Sequence, residues 1–171
     1  MTRGPPCTLC PARRTGLGCS PIGPAAPHRL AAQALGSVAL SWLLEDAGAG
    51  QQYETSVFEA LAGEGAQACV PTTWGLEIAN VIAKCEARTI LPIERRTAFL
   101  AAMGAAPILC DTETYSRALT DSLELSRRYK LSAYDASYLE LALRMRLPLA
   151  TLDKDLQRAA TKAGAAVLKE I

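Results

Sequence analysis

From about residue 37 onward, segments with a helical apolar period alternate with short continuous apolar runs. This is the pattern of an α/β domain built on a parallel sheet. The clearest helix is predicted over 73–87, where Trp74, Ile78, Val81, Ile82 and Cys85 make one apolar stripe. Helices are also predicted over 38–45, with Ser37 as N-cap, and over 51–62, where Tyr53, Val57 and Leu61 recur before Gly63 and Gly65. The stretch 93–103 reads as a helix with Pro92 at its first position and Gly104 at its C-terminal cap. A polar-faced helix is predicted over 113–129, another over 132–146 and a last over 156–163. The short apolar runs at 66–70, 107–110, 149–152 and 165–168 are the predicted strands.

The first 34 residues break this pattern. They hold 6 of the 10 Pro, 4 of the 12 Gly, 4 Arg and no acidic residue, with no apolar period. Such a segment buries too little surface to offset its ordering entropy, so residues 1–34 are expected to form a disordered arm and 35–171 the domain. Cys7, Cys10, Cys19 and His28 lie in this arm, but the eight residues between the second and third cysteines make a poor zinc framework. Cys69, Cys85 and Cys110 fall on apolar segments and read as core. No disulfide framework is implied, which suits a reducing cytoplasm. A net charge of +1 over 171 residues argues against nucleic-acid binding by bulk electrostatics, so any such contact is local. No apolar run approaches the roughly 20 residues that cross a bilayer, so no membrane partner is expected.

Ligands of open parallel sheets bind beyond the carboxyl ends of the strands. Three acids are predicted there: Glu77 one turn into the helix after the 66–70 strand, Asp135 in the first turn of the 132–146 helix, and Asp153 directly after the 149–152 strand. Each has an ordinary structural role open to it. Ser132 and Asp135 are spaced like a capping box, Asp153 is placed to cap the next helix, and Glu77 could lie on a solvated face. Together, three carboxylates in partly desolvated surroundings repel one another unless a divalent cation lies between them. Oxygen ligands without histidine favour Mg²⁺ or Mn²⁺, and such a centre suits phosphodiester hydrolysis by metal-activated water.

Four stretches carry a family resemblance: Gly36-Ser-Val-Ala-Leu-Ser-Trp-Leu-Leu-Glu-Asp46, Val70-Pro-Thr-Thr-Trp-Gly-Leu-Glu-Ile-Ala-Asn80, Leu131-Ser-Ala-Tyr-Asp-Ala-Ser-Tyr-Leu-Glu-Leu-Ala142 and Leu147-Pro-Leu-Ala-Thr-Leu-Asp153. In this order and spacing the sequence resembles PIN-domain ribonucleases of the VapC toxin type, over about residues 36–171. The resemblance implies a parallel sheet flanked by helices, Mg²⁺-dependent endoribonuclease activity, homodimers and a cognate antitoxin. It places Glu77, Asp135 and Asp153 at three of the family's four acidic positions, and Ser37 and Thr151 at its supporting hydroxyls. The fourth acid, which ends the family's opening strand, is replaced by Leu35. Residues 30–35, Leu-Ala-Ala-Gln-Ala-Leu, are helix formers, so the opening strand is expected to be abnormal or missing, and residues 1–35 read as a non-native opening to the domain.

On this reading Glu77, Asp135 and Asp153 hold the metal, while Ser37 and Thr151 orient ligands or water. Arg127, Arg128, Lys130, Arg144 and Arg146 are candidates for RNA backbone contacts or for solvated helix ends. Trp42, Trp74, Tyr134 and Tyr138 are candidates for base stacking or for core. Two other classes stay open: an impaired PIN-like protein that binds antitoxin or RNA without cleavage, and an α/β phosphatase or phospho-acceptor. The latter needs an aspartate nucleophile after an opening strand, and the sequence offers none.

Overall fold

The computed structural model describes residues 66–168, Glu59 and the backbone of Arg29–Ala32. Four parallel strands, β1 (Arg29–Ala32), β2 (Gln67–Pro71), β3 (Ile108–Asp111) and β4 (Leu149–Ala150), lie in the order β3-β2-β1-β4. The register pairs Leu30 with Ala68, Ala31 with Leu149, and Val70 with Cys110. The helices are α1 (Trp74–Ala87), α2 (Ile93–Ala105), α3 (Thr114–Arg117), α4 (Leu123–Tyr129), α5 (Ala133–Met145) and α6 (Lys154–Ala163). The parallel sheet with flanking helices is the architecture expected from the sequence, and all four strands present their carboxyl ends at one edge.

The opening strand, expected to be abnormal or missing, is present in short form. β1 pairs with both β2 and β4 although its residues favour helix over strand. Intrinsic propensity is a weak prior here, because a ladder on each side satisfies the backbone groups of a central strand. β1 also lies inside residues 1–34, so the last part of the expected arm belongs to the sheet. The helix predicted over 38–45, the one over 51–62 apart from Glu59, which is helical, the cysteine and histidine group of the arm, Leu35, Ser37 and Trp42 lie outside the described residues.

Two apolar clusters hold the described domain together. In the larger, α5 contributes Tyr138, Leu139, Leu141 and Ala142, packed on Cys69 of β2, Leu149 of β4 and Leu156, Ala159 and Ala160 of α6. The smaller joins Ile78 and Cys85 of α1 to Leu91 and to Phe99 of α2. Cys69 and Cys85 are therefore core residues, but Cys110 is exposed. It lies on β3, an edge strand that among the described residues has a neighbour on one side only.

Three predicted elements differ in detail from expectation. Pro92 is extended (φ −63°, ψ 144°) and caps α2 instead of opening it, and Gly104 lies inside that helix. The helix stops at Ala106 (φ −69°, ψ 144°), the extended conformation that the ring of Pro107 imposes on the residue before it. The helix predicted over 113–129 is α3 and α4 joined by a π-helical turn, Ala118–Ser122. The predicted strand at 165–168 is reduced to a bridge between Val167 and Leu149.

Candidate active site

β2 ends at Pro71 and the chain turns directly into α1, with Glu77 in its first turn. The Tyr138 hydroxyl of α5 donates to Glu77 Oε2 at 3.0 Å. The other oxygen, Glu77 Oε1, is buried without a hydrogen-bond partner among the described residues. An anionic oxygen in that condition is costly unless a cation or a polar group meets it. Tyr138 is completely buried, and its pKa is pushed above the ordinary tyrosine range, first by desolvation, then by the charge and hydrogen bond of Glu77 and the charge of Asp135. Its phenol thus lies within the fields of both carboxylates. This contact excludes base stacking for Tyr138, whereas Tyr134 is exposed and Trp74 packs between the two apolar clusters.

Ser132 caps α5 and holds Asp135, and Asp153 caps α6, as the spacing predicts. Ser132 Oγ accepts from the Asp135 amide at 3.0 Å and donates to Asp135 Oδ2 at 2.6 Å. Asp153 Oδ1 accepts from the Leu156 amide at 2.8 Å, and the Asp153 amide donates to Thr151 Oγ1 at 3.1 Å. Thr151 is buried at the end of β4, so its hydroxyl fixes the turn that presents Asp153. Glu77 is therefore held by Tyr138, whose phenol also feels the charge of Asp135, while Asp153 is held separately by Thr151 and α6. Among the described residues no three Asp, Glu, His or Cys side chains form a ready-made metal cage.

A second polar group at the same sheet edge was not legible as such in the sequence. Asp111, the last residue of β3, accepts from Thr114 Oγ1 and from Arg144 Nη2, each at 2.8 Å. Arg144 Nε also donates to Glu140 Oε1 at 2.7 Å, and the Thr72 amide donates to Thr114 Oγ1 at 3.3 Å. Arg144 is thus committed to carboxylates and is not a backbone-phosphate contact. The Glu140 hydrogen bond, followed by the charges of Glu140 and Asp111, raises its pKa despite opposing desolvation. The available signal was the i, i+4 spacing of Glu140 and Arg144, which fits an exposed helix pair equally well.

With this geometry in place, comparison with family models gives a match to the PIN domain over residues 37–162. The chain belongs to the PIN-domain family. The match spans the 73–87 helix with Glu77, the α5 helix with Asp135 and the β4 edge with Asp153. PIN domains are generally nucleases and usually employ divalent metal ions, so this PIN domain has a nuclease fold. No curated protein matches the chain. No helix among the described residues is long and apolar enough to cross a membrane.

The Tyr138–Glu77 contact carries a pH prediction. Because folding raises the pKa of Tyr138, the folded chain keeps that proton above the ordinary tyrosine pKa of about 10, where the unfolded chain releases it. The associated stability is complete below that pH and declines as pH rises through the alkaline range. Urea melts at neutral and alkaline pH should show a larger alkaline loss for the native chain than for Tyr138→Phe. Equal losses in the two proteins would contradict it.

Proposed function

We propose that this PIN domain is a metal-dependent endoribonuclease of the VapC toxin type, acting in the cytoplasm on RNA and restrained by a cognate antitoxin. The observation that carries the proposal is the Glu77 carboxylate, which has one oxygen fixed by Tyr138 and the other buried without a partner among the described residues, at the carboxyl edge of a parallel sheet. An oxygen-only donor set fits Mg²⁺ or Mn²⁺. Glu77, Asp135 and Asp153 are the proposed ligands. When bound, the ion supplies activation of water and charge stabilisation at phosphorus.

The chain's own groups do the positioning. Tyr138 holds Glu77 Oε2, Ser132 holds Asp135 Oδ2, and Thr151 with the Leu156 amide sets the Asp153 turn. Such partners restrict the rotamers of ligand side chains, which is how they contribute to metal affinity. Ser37 is proposed to support water or a ligand from the beginning of the family match. A homodimer is the proposed assembly.

The direct test is incubation of a mixed RNA pool with and without Mg²⁺ or Mn²⁺. Cleavage should require the metal and disappear in Asp135→Ala. Cleavage that persists with chelator, or is undiminished in Asp135→Ala, would contradict the proposal.

One sequence feature favours a second reading, in which the chain binds antitoxin or RNA without cutting: Leu35 stands where the family's first acid would be. Leucine neither coordinates a cation nor balances its charge. Under the nuclease proposal, Leu35→Asp should raise Mn²⁺-dependent cleavage above that of the native chain. Native binding without cleavage, together with cleavage gained in Leu35→Asp, would establish the impaired reading.

A further inference from the structure

The chain is nearly neutral overall, yet one cleft concentrates positive charge. It has a volume of about 640 Å³ and is lined by Arg128, Tyr129 and Lys130 at the end of α4 and by Asp155, Arg158 and Lys162 on α6, with Ala159 at its floor. Four cations face a single carboxylate, and that carboxylate is already paired with Arg158. The Arg158–Asp155 pair is exposed, so it is weak and its guanidinium can exchange partners. Lys130 and Lys162 have no carboxylate partner among the described residues. Lys130 also adopts the left-handed conformation (φ 57°, ψ 40°) that ends α4, a position where glycine is more comfortable.

The two walls of the cleft lead to the candidate acids. Lys130 lies two residues before Ser132, whose hydroxyl holds Asp135, and α6 begins immediately after Asp153. Lys162 is nine residues past Asp153, roughly 13 Å along the helix axis at 1.5 Å per residue. A mainly cationic cleft whose α6 wall runs from Asp155, two residues past Asp153, to Lys162 matches the repeating phosphates of a polynucleotide better than a single small anion.

Building on the nuclease reading, we propose that this cleft is the track for the RNA substrate, binding the phosphates a few nucleotides from the scissile bond. Lys130 and Lys162 are the principal contacts, and Arg128 and Arg158 flank them. Arg128 rests against the Tyr129 ring, 5.5 Å from its centroid, which keeps its stem on the cleft wall. The contact is electrostatic and does not select sequence.

The test is fluorescence anisotropy of a labelled single-stranded RNA of about 12 nucleotides, in chelator so that it stays intact, over a salt series. Lys130→Glu with Lys162→Glu should weaken binding at least about 10-fold. Because each phosphate contact contributes about 0.7 to the slope of log affinity against log salt, losing two should flatten that slope by about 1.4. Lys130→Gln with Lys162→Gln should give the same slope change if charge reversal perturbs folding, which thermal melts would reveal. Lys84→Glu with Arg88→Glu makes an equal charge change on α1 and its cap, outside the cleft, and should leave both quantities within about twofold. The cleft proposal is overturned by equal weakening in that control, by an unchanged slope in the folded glutamine pair, or by cleft-dependent binding of phosphatidylserine vesicles with RNA affinity unaltered. RNA held by the cleft but left uncut with Mn²⁺ would defeat the nuclease reading and leave the cleft standing. Cleavage together with unchanged affinity in the cleft variants would do the reverse.

Discussion

Glu77→Gln is expected to lower metal-dependent RNA cleavage by at least about 100-fold while leaving the fold in place. The substitution is nearly isosteric, and the glutamine carbonyl can still accept the hydroxyl of Tyr138 in place of Oε2. What it removes is the carboxylate oxygen that is buried without a partner among the described residues, the feature most in need of a cation. Losing an outer partner of a metal ligand typically costs 10–100-fold, and losing the ligand itself should cost at least the upper end of that range. Because an unsatisfied buried anion is also relieved, thermal stability without metal should be unchanged or slightly higher. Cleavage rates of native and variant chains on one RNA at saturating Mn²⁺ test this. A variant within a few-fold of the native rate would exclude Glu77 from the centre.

The second large effect concerns stability. Arg144→Ala is expected to destabilise the chain by about 3–5 kcal/mol, read as a lower urea midpoint. The guanidinium joins Asp111 on β3 to Glu140 in the middle of α5, and those carboxylate side chains are only 8% and 6% exposed. Removing the cation leaves two buried anions together, a worse state than removing the whole group. Typical domains have only about 5–15 kcal/mol in total, so this single change takes a large share. Adding Asp111→Asn and Glu140→Leu to Arg144→Met should recover much of the loss. A midpoint shift below about 1 kcal/mol in Arg144→Ala would show that the network is solvated, like an ordinary surface pair.

Arg144 also illustrates where sequence patterning loses its grip. The apolar stripe of 73–87 and the run at 66–70 identify α1 and β2 because burial enforces one face and one register. Ser132 and Asp153 identify the starts of α5 and α6 because their side chains satisfy particular amides. Asp111 meets the local Glu140–Arg144 pair through tertiary packing, 33 residues from Arg144, and no local period encodes that. β1 is the clearest override, since Leu and Ala hold a central strand once ladders form on both sides. α2 runs past Gly104 to Ala105 because Pro107, one residue beyond the cap, settles its end. The π-helical turn at Ala118–Ser122 has no signal in its residues that we can identify.

Of the candidate site, the residue types and the order of the elements were legible, and so were the Ser132–Asp135 pairing and the capping role of Asp153. The Tyr138 hydrogen bond to Glu77 was not, because those residues are 61 positions apart and a tyrosine on an apolar helix face reads as core. It is core, with its one polar atom turned to an acid.

The central claim is that Glu77, Asp135 and Asp153 share one divalent cation. Titration calorimetry of Mn²⁺ into the native chain and into Glu77→Gln, Asp135→Asn and Asp153→Asn measures this directly. A single saturable site that each substitution weakens or removes, with all four proteins folded, is the predicted result; native binding that survives all three unchanged would contradict it.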